Sequence, residues 1–273
     1  MAELRATPAD HLPIAFEDRV FLMREEMRAS RIALEFARAD LVLRDEGIKS
    51  TIVVFGSSRT RAPRQKRIPS VSAQKRQRSA KHRSEHDLST WYAEAREFGR
   101  IVSERGGALS PADDMRENIV ATGGGPGIME AANRGAADVG APTVGFNIAL
   151  PTEQRPNKYI TPGLSFQFHY FAVRKMHFAM RANALAIFPG GFGTFDELFE
   201  ILTLKQTRRI SGMPVILFCR SYWERVVNFA ALAEMGTIDP KDLELFRVVD
   251  SAEEGWQAMV EYGLTTPTPL RED

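Results

Sequence analysis

"ALAIFPGGFGTFDELFEILTL" (residues 184–204) runs from an apolar segment through a proline and three glycines into an amphipathic helix. A buried strand, a tight turn and a helix in that succession form one half of a βαβ unit. The same alternation recurs along the chain. Strands are expected at "TIVVF" (51–55), "NIVAT" (118–122), "PTVGF" (142–146), "SFQFHYF" (165–171), "ALAIF" (184–188) and "PVILF" (214–218), with a last one at "FRVVD" (246–250). Helical patterns fill most gaps, so the fold class is α/β: a parallel sheet covered by helices on both faces.

The composition limits the function. A chain of 273 residues with 44% apolar and 26% charged residues can bury a sizeable core. Its net charge of +1 sets up no global field toward nucleic acid or a membrane. The single Cys219 excludes a disulfide framework and a multi-cysteine metal site, as expected of a reducing cytosol. No apolar run approaches the roughly 18–20 residues of a membrane span. The first residues, "MAELRATPADHLPIAFEDR", carry acids and no signal-like apolar core. The expectation is a cytoplasmic protein with no membrane or nucleic-acid partner.

Two segments stand apart from the repeat. Residues 15–47 have apolar residues at helical spacing and a closing glycine, so 1–48 reads as a helical extension ahead of a domain spanning 49–273. Its apolar stripe must be buried somewhere. The stretch 59–87 is dense in Arg, Lys, Ser and Gln and has no acid before Glu85. No aromatic is interleaved for base stacking, so it reads as a solvated insertion rather than a nucleic-acid arm.

Open α/β sheets bind ligands at their carboxyl edge. Three turns there are rich in glycine or serine: Gly56-Ser57-Ser58, Gly123 to Gly127, and Gly190-Gly191-Phe192-Gly193-Thr194. Each could be a tight turn alone. Three on one edge suit backbone approach to a phosphate. No Lys-Ser/Thr follows the glycines, which excludes a P-loop. Ile128 stands where a dinucleotide fingerprint needs its third glycine. A mononucleotide fits better.

Thr194-Phe195-Asp196-Glu197 has the form of a capping box, a purely structural role for Glu197. Helical spacing separates the two acids, however. Asp196 falls with Glu200, Thr203 and Thr207 on a polar face, while Glu197 falls with Ile201 and Leu204 on the packing side. A carboxylate there is desolvated and unusual. Arg174, at the expected start of "RKMHFAMRANA", opposes the helix dipole and needs an anionic partner. His169 and His177 lack metal-ligand spacing and read as packed or hydrogen-bonded histidines, so no metal site is expected.

"GGGPGIMEAANRGA" (123–136), "RK" (174–175) and "PGGFGTFDE" (189–197) together resemble the Lonely Guy family. These are cytokinin riboside 5′-monophosphate phosphoribohydrolases, often mislabelled as lysine decarboxylases. The resemblance spans about 50–235. It implies a Rossmann-like, doubly wound sheet and a homodimer or higher homo-oligomer with active sites at the subunit interface. It makes Arg174 and Glu197 the catalytic pair, with no cofactor. The candidate nucleotide-binding set is Gly56, Ser57, Ser58, Gly124, Gly125, Glu130, Lys175, Gly190, Gly191, Gly193 and Thr194. Three departures set the chain off from short family members: Phe178 where they carry methionine, the extension, and the insertion. They suggest a longer bacterial branch and leave the preferred base, adenine or a prenylated adenine, open. Two rivals are weighed against hydrolysis. A pyridoxal-dependent decarboxylase needs a suitable lysine. A nucleotide or molybdenum-cofactor carrier needs no catalytic pair.

Overall fold

The computed structural model describes residues 13–62, 88–149 and 155–264. The expected basic insertion therefore lies outside the described residues except for 59–62.

The chain opens with α1 (Arg19–Leu22) and α2 (Arg28–Asp45), followed by β1 (Thr51–Phe55) and α3 (Ser89–Arg105). Next come β2 (Ile119–Thr122), α4 (Ile128–Asp138), β3 (Thr143–Ile148), β4 (Ser165–Phe168) and α5 (Phe171–Met180). Then follow β5 (Ala182–Ile187), α6 (Phe192–Gln206), β6 (Val215–Phe218), α7 (Arg220–Val226) and α8 (Phe229–Glu234). The described chain closes with β7 (Arg247–Val249) and α9 (Ala252–Glu261).

All seven strands form one sheet in the order β4-β3-β2-β1-β5-β6-β7, and every pairing is parallel. Such a sheet is buried on both faces, which explains the continuous β-branched and apolar runs of its strands. β1 and β5, adjacent at the centre, are buried along their whole lengths. The chain builds outward from β1 to β4, returns to β5, and builds outward again on the other side. With right-handed crossovers, that reversal sends the crossover helices that follow β5 to the opposite face, while α9, after the last strand, returns to the face of α3. α3 packs on α4 and α9, while α5 packs on α2, β3 and β4. The sequence expectation of a doubly wound sheet with helices on both sides holds.

Two boundaries differ from expectation. "SFQFHYF" was expected to stay extended to Phe171, but β4 ends at Phe168 and α5 begins at Phe171. β4 is an edge strand with one covered face, so Ser165 and Gln167 are exposed while Phe166 and Phe168 are buried. The strand ends where that alternation ends.

The sheet places the site. A crevice opens at the carboxyl edge where the strand order reverses, here between β1 and β5. Aromatic packing stiffens the sheet behind it: the Phe188 and Phe218 rings stack 4.0 Å apart, and Phe98 meets Phe218 edge-on at 5.2 Å.

Candidate active site

The turns after β1 and β5 are joined directly, since Ser57 N donates to Pro189 O (2.9 Å) and Phe188 N to Phe55 O (2.9 Å). The turn after β2 is joined to them through Ile128 N, which donates to Ser57 O (3.1 Å). Above the β1 and β5 turns lies a cleft of about 930 Å³. Gly56, Ser57, Ser58, Arg174, Gly190, Gly191, Gly193, Thr194 and Glu197 all line it, so nine of the residues singled out from sequence meet at one place.

α6 starts at Phe192 with Gly191 as its N-cap, and Gly191 makes no side-chain cap. This corrects the expected capping box: Thr194 lies inside the first turn, so Glu197 is one turn into the helix and does not close it. Gly191 O accepts from Thr194 N (2.9 Å) and Phe195 N (3.1 Å). The N–H groups of Phe192 and Gly193 have no acceptor among the described residues, as the open end of a helix requires. They face the mouth of the cleft together with the positive end of the helix dipole.

Freed from capping, Glu197 is 6% exposed. Asp196 beside it is exposed, as the helical spacing predicts. Burial pushes the Glu197 carboxyl up to about 7, against the pull of Lys175 and Arg174 toward the charged form. A carboxyl poised there can take or give a proton near neutral pH.

Arg174 occupies the second half of the first turn of α5. Its Nε donates to Phe146 O at 2.7 Å, and its guanidinium lies 4.9 Å from the centre of the Phe178 ring. Phe178, the departure from the short family pattern, thus forms the bed on which the arginine rests, a contact worth about 0.5–2 kcal/mol. The β2 turn crowds the arginine from the other side, because a Cβ on Gly123 would lie 2.6 Å from Arg174 Nη2. Burial lowers the Arg174 pKa, and the Glu197 and Asp196 charges oppose that shift. The cation is partly desolvated and faces an anionic region.

Lys175, Gly124, Gly125 and Glu130 do not line the cleft. Lys175 Nζ bridges Asp196 (2.9 Å) and Glu200 (2.6 Å) on the outer side of α5 and α6. Burial disfavours its charge, but those two carboxylates outweigh burial and raise its pKa. Glu130 accepts from Tyr92 Oη (2.9 Å). Gly124 and Gly125 offer their carbonyls to Asn157 Nδ2, at 3.2 and 3.1 Å. His177 is buried among the Phe36, Phe146 and Phe168 rings and lies outside the cleft.

Several lining residues escaped the sequence reading. Tyr222 Oη donates to Gly190 O (2.5 Å) and holds the β5 turn from the far side. Phe192, 96% exposed, Met129, Leu88 and Val226 give the cleft an apolar rim, and Arg59 adds a second cation. Tyr222 follows β6, the next strand on the same edge, and that position was its one available signal.

A family model described as "Possible lysine decarboxylase" matches residues 129–259. The cytokinin riboside 5′-monophosphate phosphoribohydrolase LOG3 of Arabidopsis thaliana is 28% identical over 149 residues, covering 53% of this chain and 67% of that protein. Both matches support the likeness to the Lonely Guy family read from the sequence. Among solved structures, the structural-genomics target TM1055 aligns at a TM-score of 0.46 and 19% identity, over 78% of this chain and 99% of that one. The molybdenum cofactor binding protein of Rippkaea orientalis aligns at 0.48 and 16%, over 81% and 98%. The "RK" and "PGGFGTFDE" stretches that carry the resemblance lie here at the start of α5 and the entry to α6, and Arg174 and Glu197 from them both line the cleft.

Proposed function

We propose that the protein hydrolyses the N-glycosidic bond of a nucleoside 5′-monophosphate, giving free base and ribose 5-phosphate. The observation that carries this reading is a buried carboxyl, Glu197, titrating near 7 one helical turn beyond an open helix N-terminus. The helix entry and the β1 turn suit the phosphate. Glu197 then reaches past the phosphate to the sugar.

In the reaction, the C1′–N bond breaks and the sugar gains oxocarbenium character. Water forms the new bond to C1′, its proton passes to the Glu197 carboxylate, and the departing base takes up one proton at nitrogen from solvent as the Glu197 carboxyl returns its own to solvent. The carboxylate also stabilises the positive C1′ as it develops. Arg174, fixed by Phe146 O and the Phe178 ring, holds the anionic groups in register. Binding energy from the phosphate, remote from the breaking bond, is used at the transition state. The apolar rim would face the base, and a homo-oligomer would cover the exposed Phe192.

Decarboxylation through pyridoxal phosphate fits the residues poorly. No lysine lines the cleft among the described residues. Lys175 is bound to two carboxylates, and Lys205 Nζ donates to Met213 O (2.5 Å) away from it. A pure carrier of a nucleotide or molybdenum cofactor has no use for a desolvated Glu197, whose burial costs stability.

The test is to supply AMP, isopentenyladenosine monophosphate and adenosine to the purified protein and to follow free base. Release from a monophosphate at least about 100-fold faster than from adenosine supports the reading. Equal rates from AMP and adenosine refute the phosphate seat. No release from any substrate refutes hydrolysis of these nucleotides.

A further inference from the structure

The apolar stripe of the N-terminal extension finds its partner in α5. α2 runs along that helix and grips it at three points. At the start, the Glu35 carboxylate accepts from the backbone N–H groups of His169 (2.9 Å) and Tyr170 (3.1 Å). Tyr170 is the N-cap of α5 and offers no side-chain cap of its own. Glu35 therefore does from α2 what a capping side chain does locally, and it sets a negative charge at the positive end of the α5 dipole. In the middle, the Phe36 ring lies 5.1 Å from that of His177. At the end, Arg181 Nη2, one residue past α5, donates to Asp40 Oδ1 at 2.6 Å, with both side chains about 15% exposed or less.

A helix held at both ends and in the middle cannot turn or slide without breaking one of these contacts. Arg174 sits within the first turn and a half, close to the Glu35 grip, and its own bond to Phe146 O is short and directional. No residue of α2 lines the cleft.

We infer that α2 is a brace that sets the position of the arginine-bearing helix, and that Glu35 is its chief positioning residue, acting on the site through the start of α5. The kinetic part of this inference rests on the proposed hydrolysis. The structural part does not.

The experiment compares wild type with Glu35→Ala, Glu35→Gln and, as a control, Glu25→Ala, whose carboxylate makes only an exposed pair with Arg28. Steady-state AMP cleavage and backbone amide exchange over 165–180 are read on the full chain. Glu35→Ala lowers kcat about tenfold, since small misplacements of a catalytic group are costly. KM for AMP stays within about twofold, because no residue of α2 lines the cleft where the phosphate would sit. Amides at 169–175 lose protection. Glu35→Gln, which keeps an acceptor oxygen, recovers part of kcat, and Glu25→Ala changes nothing.

Unchanged protection at 169–175 overturns the brace, and so does lost protection with kcat intact. A matching rise in KM with kcat unaffected also overturns it, since the phosphate seat rather than the arginine would then have moved. If Glu35→Ala does not fold, Glu35→Gln and Asp40→Asn carry the same readings. If wild type itself releases no base from AMP, the proposed hydrolysis has failed by itself. Amide exchange then decides the brace alone: faster exchange confined to 165–180 sustains it, and unchanged exchange refutes it.

Discussion

The two glycine-rich turns look alike in sequence and do opposite work. In the turn after β2, protein fills the space left by Gly123, Gly124 and Gly127. Gly124 and Gly127 have φ of +74° and +77°, a Cβ on Gly124 would collide with Asn147, and one on Gly123 would meet Arg174. In the turn after β5, Gly190 is filled too, since a Cβ there would collide with Thr194 Oγ1, but a Cβ on Gly191 or Gly193 would meet nothing within 4 Å. The first turn is a lock that joins helices, strands and the arginine. The second is open ground facing the cleft. A glycine cluster marks close approach, and only the structure says whether the approaching group is protein or ligand.

That contrast can be broken by substitution. Arg174, which the locked turn seats, gives the largest expected effect: Arg174→Lys loses the directional bond to Phe146 O and lowers kcat/KM for AMP by about 10²–10³-fold. A loss under tenfold would remove the arginine from the chemistry.

Gly124→Ala comes next. It combines a left-handed backbone with a collision at Asn147 and destabilises the fold by about 3 kcal/mol, read from the denaturant midpoint. A neutral result would mean the turn is not a lock.

Glu197 supplies an effect of similar size and opposite sign. Its carboxyl titrates at about 7 when folded and at 4.5 otherwise, so the folded state binds the proton more tightly. Folding keeps its full advantage below 4.5 and loses it as pH rises, the whole penalty being present above about 7. Glu197→Gln escapes that penalty and is more stable than wild type at pH 8 by up to about 3 kcal/mol, with little difference at pH 4. A variant equally stable at both pH values would contradict the burial of a titrating group.

The smallest stability effect belongs to the open turn. Gly193→Ala lies in the first turn of α6 with free space around it, and it stabilises the fold by about 0.5–1 kcal/mol while weakening AMP binding where the backbone meets the phosphate. Loss of stability would show that the β5 turn is packed after all.

Much of this was legible in the sequence. All seven strands overlap the segments where they are expected; the five inner ones are continuous apolar or β-branched runs because strands of a buried parallel sheet are covered on both faces, while the edge strand β4 alternates. Helical spacing alone separated the buried Glu197 from the exposed Asp196. What was not legible depended on distant partners. Thr194 to Glu197 imitates a capping box, yet α6 begins at Phe192, an apolar residue that gives no start signal and stands in the open. Lys175 follows the arginine in sequence, but the neighbouring helix claims it through Asp196 and Glu200. The end of β4 is fixed by Glu35, more than 130 residues earlier. No local pattern announces such a contact.

The most direct test of the central claim is AMP turnover at pH 8 by wild type and Glu197→Gln, followed as adenine and ribose 5-phosphate. Wild type should release both in equal amounts, and a folded Glu197→Gln should be slower by about 10²–10⁴-fold. A variant that folds and cleaves AMP at the wild-type rate would contradict the role assigned to Glu197.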